Sequence, residues 1–214
     1  MSPGKSLVTV AEQKNMRLFS YVVARDYGFA PNPFYGFCTL ATCKPGIRQS
    51  ARVGDWVVGL TCVGDRASRG LVYVMKVAEV LTYDHYWRDA RFSEKRPDLR
   101  SSLKRAFGDN IYHRADTRGP WLQADSHHSL EDGSSNSANV ENDTKSDKVL
   151  IATRFTYWGK SAPDVPCHLR DFEGHDLVVG RGYKNSYPLD FVRAFEAWYD
   201  SLHVEGYQGS PYRW

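Results

Sequence analysis

Short apolar runs alternate with turn-forming residues along most of the chain, a pattern typical of buried β-strands. Leu18 to Ala24 and Trp56 to Cys62 are β-branched and aromatic runs bounded by Arg-Asp or Gly-Asp turns. Leu71 to Leu81 and Lys148 to Trp158 are longer and mostly apolar, which predicts strands covered on both faces. Two shorter strands are predicted near Phe37 to Thr42 and Leu177 to Val179.

Helical periodicity appears in fewer segments. Leu99 to Phe107 places apolar residues at i, i+4, i+7 and i+8, and Gly108 follows as a C-terminal stop. Asp84 to Phe92 predicts a weaker helix. Pro188 to Leu202 repeats apolar residues along one face after an initial proline, so this helix is expected to pack on the sheet.

Because strands outnumber helices and a Gly-Asp turn directly precedes an apolar strand, the predicted fold is α+β. Its expected architecture is a compact, mainly antiparallel, partly closed β-barrel decorated with helices. Residues 131–147 are rich in Ser, Asn, Asp, Glu and Gly, which predicts a flexible surface insertion. Residues 1–214 are therefore predicted to form a single domain that contains this insertion at about 131–147.

The composition excludes some classes of protein. With 28 basic and 25 acidic residues, the chain lacks the excess of positive charge expected of a protein that coats nucleic acid. Its four cysteines form no C-x-x-C pair, and the N-terminus carries no apolar signal segment, so a cytoplasmic location is expected. The longest apolar run is too short to span a membrane, and neither a cofactor nor a membrane partner is predicted.

The segment from Arg25 to Tyr35 has a composition that a simple connecting loop does not need. Its aromatic residues offer faces on which a base stacks, while Asp26 and Asn32 carry groups that pair with the edge of a base. We therefore take it as one wall of a ligand pocket, with Arg25, Asp26, Asn32 and Phe34 as candidate contacts. The alternative is structural: Phe34 plugs the core, and Arg25 pairs with Asp26.

A second polar and aromatic constellation lies between Asp109 and Ser129. Its candidate ligand contacts are Asn110, Tyr112, Trp121, Gln123 and His128. His113 and His127 are the candidate acid–base catalysts because histidine changes charge near neutral pH, with His128 an alternative to His127 and with Asp26 or Asp109 as the orienting carboxylate. Their spacing matches no common metal-ligand motif, so no metal site is predicted.

Basic residues are concentrated between Arg88 and Arg105, next to Trp87. The candidate phosphate contacts are Arg88, Arg91, Lys95, Arg96, Lys104 and Arg105. The alternative is a solvated helix face. Cys38 and Cys43 are candidate nucleophiles by element alone, because the sequence places no histidine beside either of them.

Several motifs carry a family resemblance. Arg25-Asp26-Tyr27-Gly28-Phe29-Ala30-Pro31-Asn32-Pro33-Phe34, Cys38-Thr39-Leu40-Ala41-Thr42-Cys43-Lys44-Pro45 and Ser126-His127-His128-Ser129 resemble the second family of nucleotide-modification-associated domains. The similarity runs from about Met16 to Trp198. A shorter similarity, at Arg52 and Gly54-Asp55-Trp56, is to barrels like the pseudouridine-synthase and archaeosine-transglycosylase (PUA) domain.

The resemblance implies a role beside the enzymes that make or handle modified DNA bases, chiefly in bacteria and their phages. It does not imply a reaction. The leading hypothesis is a module that recognises a nucleotide or modified base, with a nucleotide or nucleic acid as partner and protein partners unknown. The first alternative is an enzyme that modifies a nucleotide or base by His/Asp acid–base chemistry. The second is a protein-interaction module of a modification or defence operon.

Overall fold

The computed structural model of the chain describes residues 16–62, 69–116 and 118–214. Its strands are β1 Leu18–Val22, β2 Cys38–Leu40, β3 Trp56–Leu60, β4 Leu71–Lys76, β5 Glu79–Thr82, β6 Tyr112–His113, β7 Leu122–Gln123, β8 Lys148–Ala152, β9 Arg154–Tyr157, β10 Tyr183–Lys184 and β11 Gly206–Tyr207. Its α-helices are α1 Pro45–Ser50, α2 Tyr83–Arg88, α3 Leu103–Ala106, α4 Ser137–Asp143 and α5 Leu189–Ser201. Short 3₁₀ helices cover Ala90–Lys95, Gly159–Ser161 and Cys167–Leu169.

The strands form two main sheets and a small ribbon. The first sheet has six strands in the order β10-β1-β3-β4-β9-β11, and it is mixed because β1 pairs with β3, and β9 with β11, in parallel. The second sheet is antiparallel, with the order β2-β8-β5. Strands β6 and β7 form a separate antiparallel pair.

The two main sheets are joined by a bent pair of strands. Each of the two long apolar runs predicted from the sequence is divided, β4 from β5 at Val77 and Ala78 and β8 from β9 at Thr153. The two breaks lie side by side, since the amide of Ala78 donates to the carbonyl of Ile151 over 2.8 Å. The paired strands β4–β5 and β8–β9 therefore pass from the first sheet into the second and stay hydrogen-bonded to each other at the bend.

The α+β class is confirmed, but the prediction of a partly closed, mainly antiparallel barrel is wrong. In the part of the chain that the structure describes, no sheet closes on itself, and the six-stranded sheet ends at two-residue edge strands, β10 and β11. Apolar periodicity reports which faces of a strand are covered, whereas closure depends on which strands become neighbours, and periodicity carries no information about that.

The first sheet is covered on both faces, which explains why all of β3 is buried. Trp56 and Val58 point towards α5, where Trp56 contacts the rings of Phe195 and Tyr199 edge-on. Val57 points the opposite way, into a core shared with the second sheet. No helix in residues 16–62, 69–116 or 118–214 is long and apolar enough to cross a membrane.

Residues 131–147 contain a helix where the sequence predicts a flexible loop. The side chain of Asn136 caps α4 by accepting from the amide of Asn139, and its own amide donates to Gln123 over 2.8 Å. Side-chain hydrogen bonds hold this helix in place, together with Val140, which packs against the core. The last residue of α4, Asp143, is fully buried.

Candidate active site

Cys43 lies in a strained turn between β2 and α1. The φ angles of Cys43 and Lys44 are 57° and 40°, so two consecutive residues other than glycine adopt the left-handed conformation. Each such residue costs on the order of 1–3 kcal/mol and persists only where its surroundings hold it. Pro45 then begins the helix. The turn sets the Cys43 side chain, which is partly exposed, at the end of a buried strand.

Two buried side chains hold the backbone of this turn. Asp143 accepts a hydrogen bond from the amide of Cys43 over 2.8 Å, and Arg48 donates from Nε to the carbonyl of Cys43 over 2.8 Å. Both Asp143 and Arg48 are fully inaccessible to solvent. The conformation of the turn is therefore fixed by charged groups that water does not reach.

His128 joins Cys43 to Asp143. Its Nε2 lies 3.8 Å from the Cys43 sulfur, and its Nδ1 lies 2.9 Å from Oδ2 of Asp143. The three side chains come from the turn after β2, the loop after β7 and the end of α4. This is the order of groups found in enzymes that use a nucleophile, a histidine and a carboxylate that orients the histidine.

Further hydrogen bonds fix the carboxylate and the imidazole. Tyr112 donates from its hydroxyl to Oδ2 of Asp143 over 3.0 Å. Gln123 donates to the Tyr112 hydroxyl and to the carbonyl of His128, both over 3.2 Å, and Asn139 donates to the same carbonyl over 2.8 Å. The position of His128 is thus set through both its ring and its backbone.

The pKa of His128 is raised from its ordinary value of 6.5 to about 9. Burial opposes the charged form of the ring, but the hydrogen bonds to Asp143 and Cys43 and the attraction of their negative charges outweigh it. His128 is therefore protonated at neutral pH.

The raised pKa of His128 predicts a pH-dependent stability. Its contribution is fully present below pH 6.5, the ordinary pKa, and is lost as the pH rises through about 9. The difference in unfolding free energy between the protein and a His128→Gln variant should shrink by about 3 kcal/mol over that window. Urea unfolding of both proteins at pH 6, 7.5 and 9.5 measures it, and a constant difference would contradict the assigned pKa.

Two aromatic residues and one lysine lie near Cys43 and His128. The ring centroid of Phe29 lies 4.7 Å from that of His128. Lys44 places its ammonium 4.8 Å from the ring centroid of Tyr21, whose hydroxyl lies 2.9 Å from that of Tyr73. Burial lowers the pKa of Lys44 and raises that of Tyr21. The side chains beside the sulfur are thus a cation and neutral phenols.

The comparison with protein families places the chain in one of them. The family described as nucleotide modification associated domain 2 matches residues 15–214, nearly the whole length. The chain belongs to this family. No curated protein and no solved structure matches the chain in the two other comparisons. Membership of nucleotide modification associated domain 2 supports an association with nucleotide modification, as the sequence motifs suggest.

In this member of nucleotide modification associated domain 2, Tyr112, Gln123 and His128 meet around Asp143, as described above. His113 lies elsewhere, because successive residues of β6 point to opposite faces. Its ring stacks on Trp87 at 3.9 Å and 6°, and burial lowers its pKa.

His127 adjoins the site without belonging to the triad. It is exposed and packs against Tyr27 and Phe107, with ring centroids 4.5 and 5.2 Å away. The rings packed against its imidazole remove water from it and so lower its pKa, and the positive charges of His128 and Arg25 lower it further. Arg25 itself is exposed.

The remaining predicted contacts of the first loop are buried. Asp26 accepts from the hydroxyl of Tyr157 over 2.6 Å and from the amide of Tyr212 over 3.2 Å. Phe34 is 3% exposed and stacks on Trp214 at 5.4 Å. In the second segment, Trp121 is partly exposed and lies 3.8 Å from the guanidinium carbon of Arg114.

Asn32 and Lys95 belong to a second buried polar network. The ammonium of Lys95 donates to Oδ1 of Asn32 over 2.6 Å and to Thr39 over 3.1 Å, and Thr39 donates to Asp109 over 2.6 Å. Asp109 also accepts from Tyr86 over 2.7 Å. Burial lowers the pKa of Lys95 to about 8 and raises that of Asp109. The network ties the Asn32 loop to the 3₁₀ helix of residues 90–95.

Asn110 is also buried, and its side-chain amide donates to the carbonyl of Tyr86 over 3.0 Å.

The predicted phosphate contacts divide into two groups. Lys95 is buried, Arg96 lies over the ring of Trp87, and Arg105 forms a 3.2 Å ion pair with Glu94. The exposed ones are Arg88, Arg91 and Lys104, of which Arg91 is bound by Glu79 and Asp89.

Sequence reasoning missed Asp143 and Arg48. Asp143 stands in a polar segment whose composition predicts a loop, and Arg48 stands in the short helix α1, for which no site residue was predicted. No sequence motif links either residue to the site, and 100 residues separate Cys43 from Asp143. Among residues 16–62, 69–116 and 118–214, no group of three or more His, Cys, Asp or Glu side chains is arranged to hold a metal ion.

Proposed function

We propose that the protein is a thiol-dependent enzyme of nucleotide modification that transfers or hydrolyses an acyl group on a nucleotide or base. Cys43 is the nucleophile, His128 is the proton donor and acceptor, and Asp143 orients His128. The observation that carries the proposal is the pair of distances at His128: 3.8 Å to the sulfur and 2.9 Å to the carboxylate. The family's association with nucleotide modification supplies the substrate class.

The proposed reaction proceeds in two steps. The thiolate of Cys43 attacks the acyl carbonyl carbon, a carbon–sulfur bond forms, and the bond to the nucleotide's nitrogen or oxygen breaks. The departing atom takes the proton from His128. Neutral His128 then removes a proton from water or from an acceptor hydroxyl or amine, which attacks the thioester. The carbon–sulfur bond breaks, and the thiolate of Cys43 and the imidazolium of His128 are restored. Lys44 is the nearest candidate to stabilise the oxyanion.

The raised pKa of His128 supports a nucleophilic mechanism over simple acid–base catalysis. A base that acts alone is most effective with a pKa near the working pH, whereas an imidazolium beside a sulfur stabilises the thiolate and can protonate the leaving group. In this proposal His128 takes the acid–base role that the sequence suggested for His113 with His127 or His128. Asp143 takes the orienting role suggested for Asp26 or Asp109, and the nucleophile is Cys43 rather than Cys38.

Recognition of a base without chemistry is the second candidate. Arg25 favours it, because this exposed cation lies near His127, whose ring packs against those of Tyr27 and Phe107. Stacking rings next to a cation are a common arrangement for binding a nucleotide.

The proposal predicts that Cys43 is the most reactive cysteine. At pH 7, iodoacetamide should alkylate Cys43 about tenfold faster than the exposed Cys167, and a His128→Gln variant should remove that advantage. Mass spectrometry of peptides after timed alkylation gives the rate constant of each cysteine. Cys167 is the internal control, since its rate should be the same in both proteins.

A turnover assay distinguishes the proposed enzyme from a protein that only recognises a base. N4-acetyl-2′-deoxycytidine and N6-acetyl-2′-deoxyadenosine, free and within an oligonucleotide, are suitable acyl probes, with deacetylation followed by chromatography. Deacetylation that disappears in Cys43→Ala supports the enzyme. If the unmodified protein bound nucleotides but did not deacetylate any of the probes, the enzyme would be overturned in favour of base recognition without chemistry.

A further inference from the structure

A cavity of about 380 Å³ opens between the loop of residues 33–36 and β11. Phe34, Tyr35 and Tyr207 supply aromatic walls, and Lys104 and Glu205 supply the two charges. Ligand sites in proteins commonly have volumes of roughly 300–1,000 Å³, so this cavity suits one small ligand.

The aromatic walls are held rigidly from behind. Trp214 stacks on Phe34 at 5.4 Å and 22°, and Tyr157 stacks on Tyr207 at 5.7 Å and 5°. Tyr35 and Tyr207 are partly exposed, so their rings remain accessible from the cavity. Rigid rings lose little entropy when a flat ligand stacks on them.

Two glycines keep the cavity open. Gly36 and Gly206 line it, and a Cβ at either position would meet nothing within 4 Å. Their φ angles of 81° and 83° also favour glycine over other residues. The backbone of both segments is therefore accessible to a ligand.

The charges of the cavity match a ligand with an anionic end. The ammonium of Lys104 lies 5.0 Å from the ring centroid of Tyr207 and 5.8 Å from that of Phe34, and Lys104 is exposed. No ion pair to Lys104 occurs in the described part of the chain. Glu205 lies 3.6 Å from Arg154 and adds a hydrogen-bond acceptor. The cavity therefore offers a cation for a phosphate, aromatic rings on which a base can stack, and a carboxylate that can accept from an amine or a hydroxyl.

We propose that this cavity binds one nucleotide, with its base against the rings of Tyr35 and Tyr207 and its phosphate at Lys104. Glu205 accepts a hydrogen bond from the base's exocyclic amine or the sugar hydroxyl. The ligand is a free nucleotide or one unit of a single strand, which share this chemistry. The inference rests on the proposed function only for the nucleotide class, since it requires no reaction at Cys43.

Binding is measured by isothermal titration calorimetry with the eight common nucleoside and deoxynucleoside 5′-monophosphates, and by fluorescence anisotropy with a labelled single-stranded dodecamer. Lys104→Met and Tyr35→Leu should each weaken binding about tenfold. Tyr35→Phe, which keeps the ring, should bind like the unmodified protein. The matched control is Lys145→Met, at an exposed lysine just beyond α4.

Saturable binding of a monophosphate supports a free nucleotide, and binding of the dodecamer alone supports a strand. Absence of saturable binding to every probe would overturn the proposal. So would equal affinities of Lys104→Met, Tyr35→Leu and Lys145→Met when their melting temperatures agree with that of the unmodified protein. Cys43→Ser separates this inference from the proposed enzyme, because it should bind nucleotides normally while losing all deacetylation.

Discussion

Replacing Arg48 with methionine should lower the free energy of unfolding by about 4 kcal/mol. The guanidinium is fully buried and donates to the carbonyls of Cys43, Asp143, Ser146 and Lys148 over 2.5 to 2.8 Å. Methionine fills much of the same space but leaves those carbonyls without this donor. The carboxylate of Asp143 keeps the His128 imidazolium as its cationic partner, so the loss comes from the four carbonyls that Arg48 no longer reaches.

Urea unfolding at pH 7 measures the effect, with Arg52→Met as the matched control because Arg52 is exposed on the same segment of the chain. Arg48→Lys should fall between the two, since an ammonium keeps the charge but lacks the fork that reaches several carbonyls. A loss below about 1 kcal/mol in Arg48→Met would mean that other contacts hold the turn at Cys43 to residues 143–148.

The second large effect is expected at Lys95. Lys95→Met removes the only cation that directly contacts Asn32 and Thr39 in the described structure, and it leaves Asp109 buried with a negative charge. The expected loss is about 3–5 kcal/mol. Burial already raises the pKa of Asp109, so the variant should take up a proton there and lose less stability at pH 5 than at pH 8.

The double variant Lys95→Met/Asp109→Asn tests this explanation, because it removes both charges and should recover part of the loss. Differential scanning calorimetry of the single and double variants at pH 5 and 8 gives the comparison. Lys145→Met serves as the surface control. If the single and double variants were equally destabilised at both pH values, the charge of Asp109 would not be the cause.

The sequence predicted individual elements better than their arrangement. The core strands β1 and β3 and the long helix α5 were recognised, because each carries a full apolar pattern of the right period. The break at Val77 and Ala78 left no such signal, since the apolar run continues through it. The neighbours of each strand, and with them the absence of a closed sheet in the described residues, depend on contacts between distant segments.

The candidate site was predictable only in part. The segment that contains Tyr112, Gln123 and His128 stood out by its residue types, and these three side chains do meet. Cys43 could be named only as a thiol, because 85 residues separate it from His128. Asp143 was hidden by its polar surroundings, which favour the prediction of a loop even though its side chain is buried.

One carboxylate, that of Asp143, has a part in both the proposed chemistry and the architecture. It orients His128, and it also fastens the turn of Cys43 through a backbone amide. A lineage that abandoned the reaction would still be selected to keep this aspartate, because losing it would loosen the fold. When members of the family are compared, retention of the aspartate is therefore weak evidence of an active protein, whereas joint retention of cysteine and histidine is the informative observation.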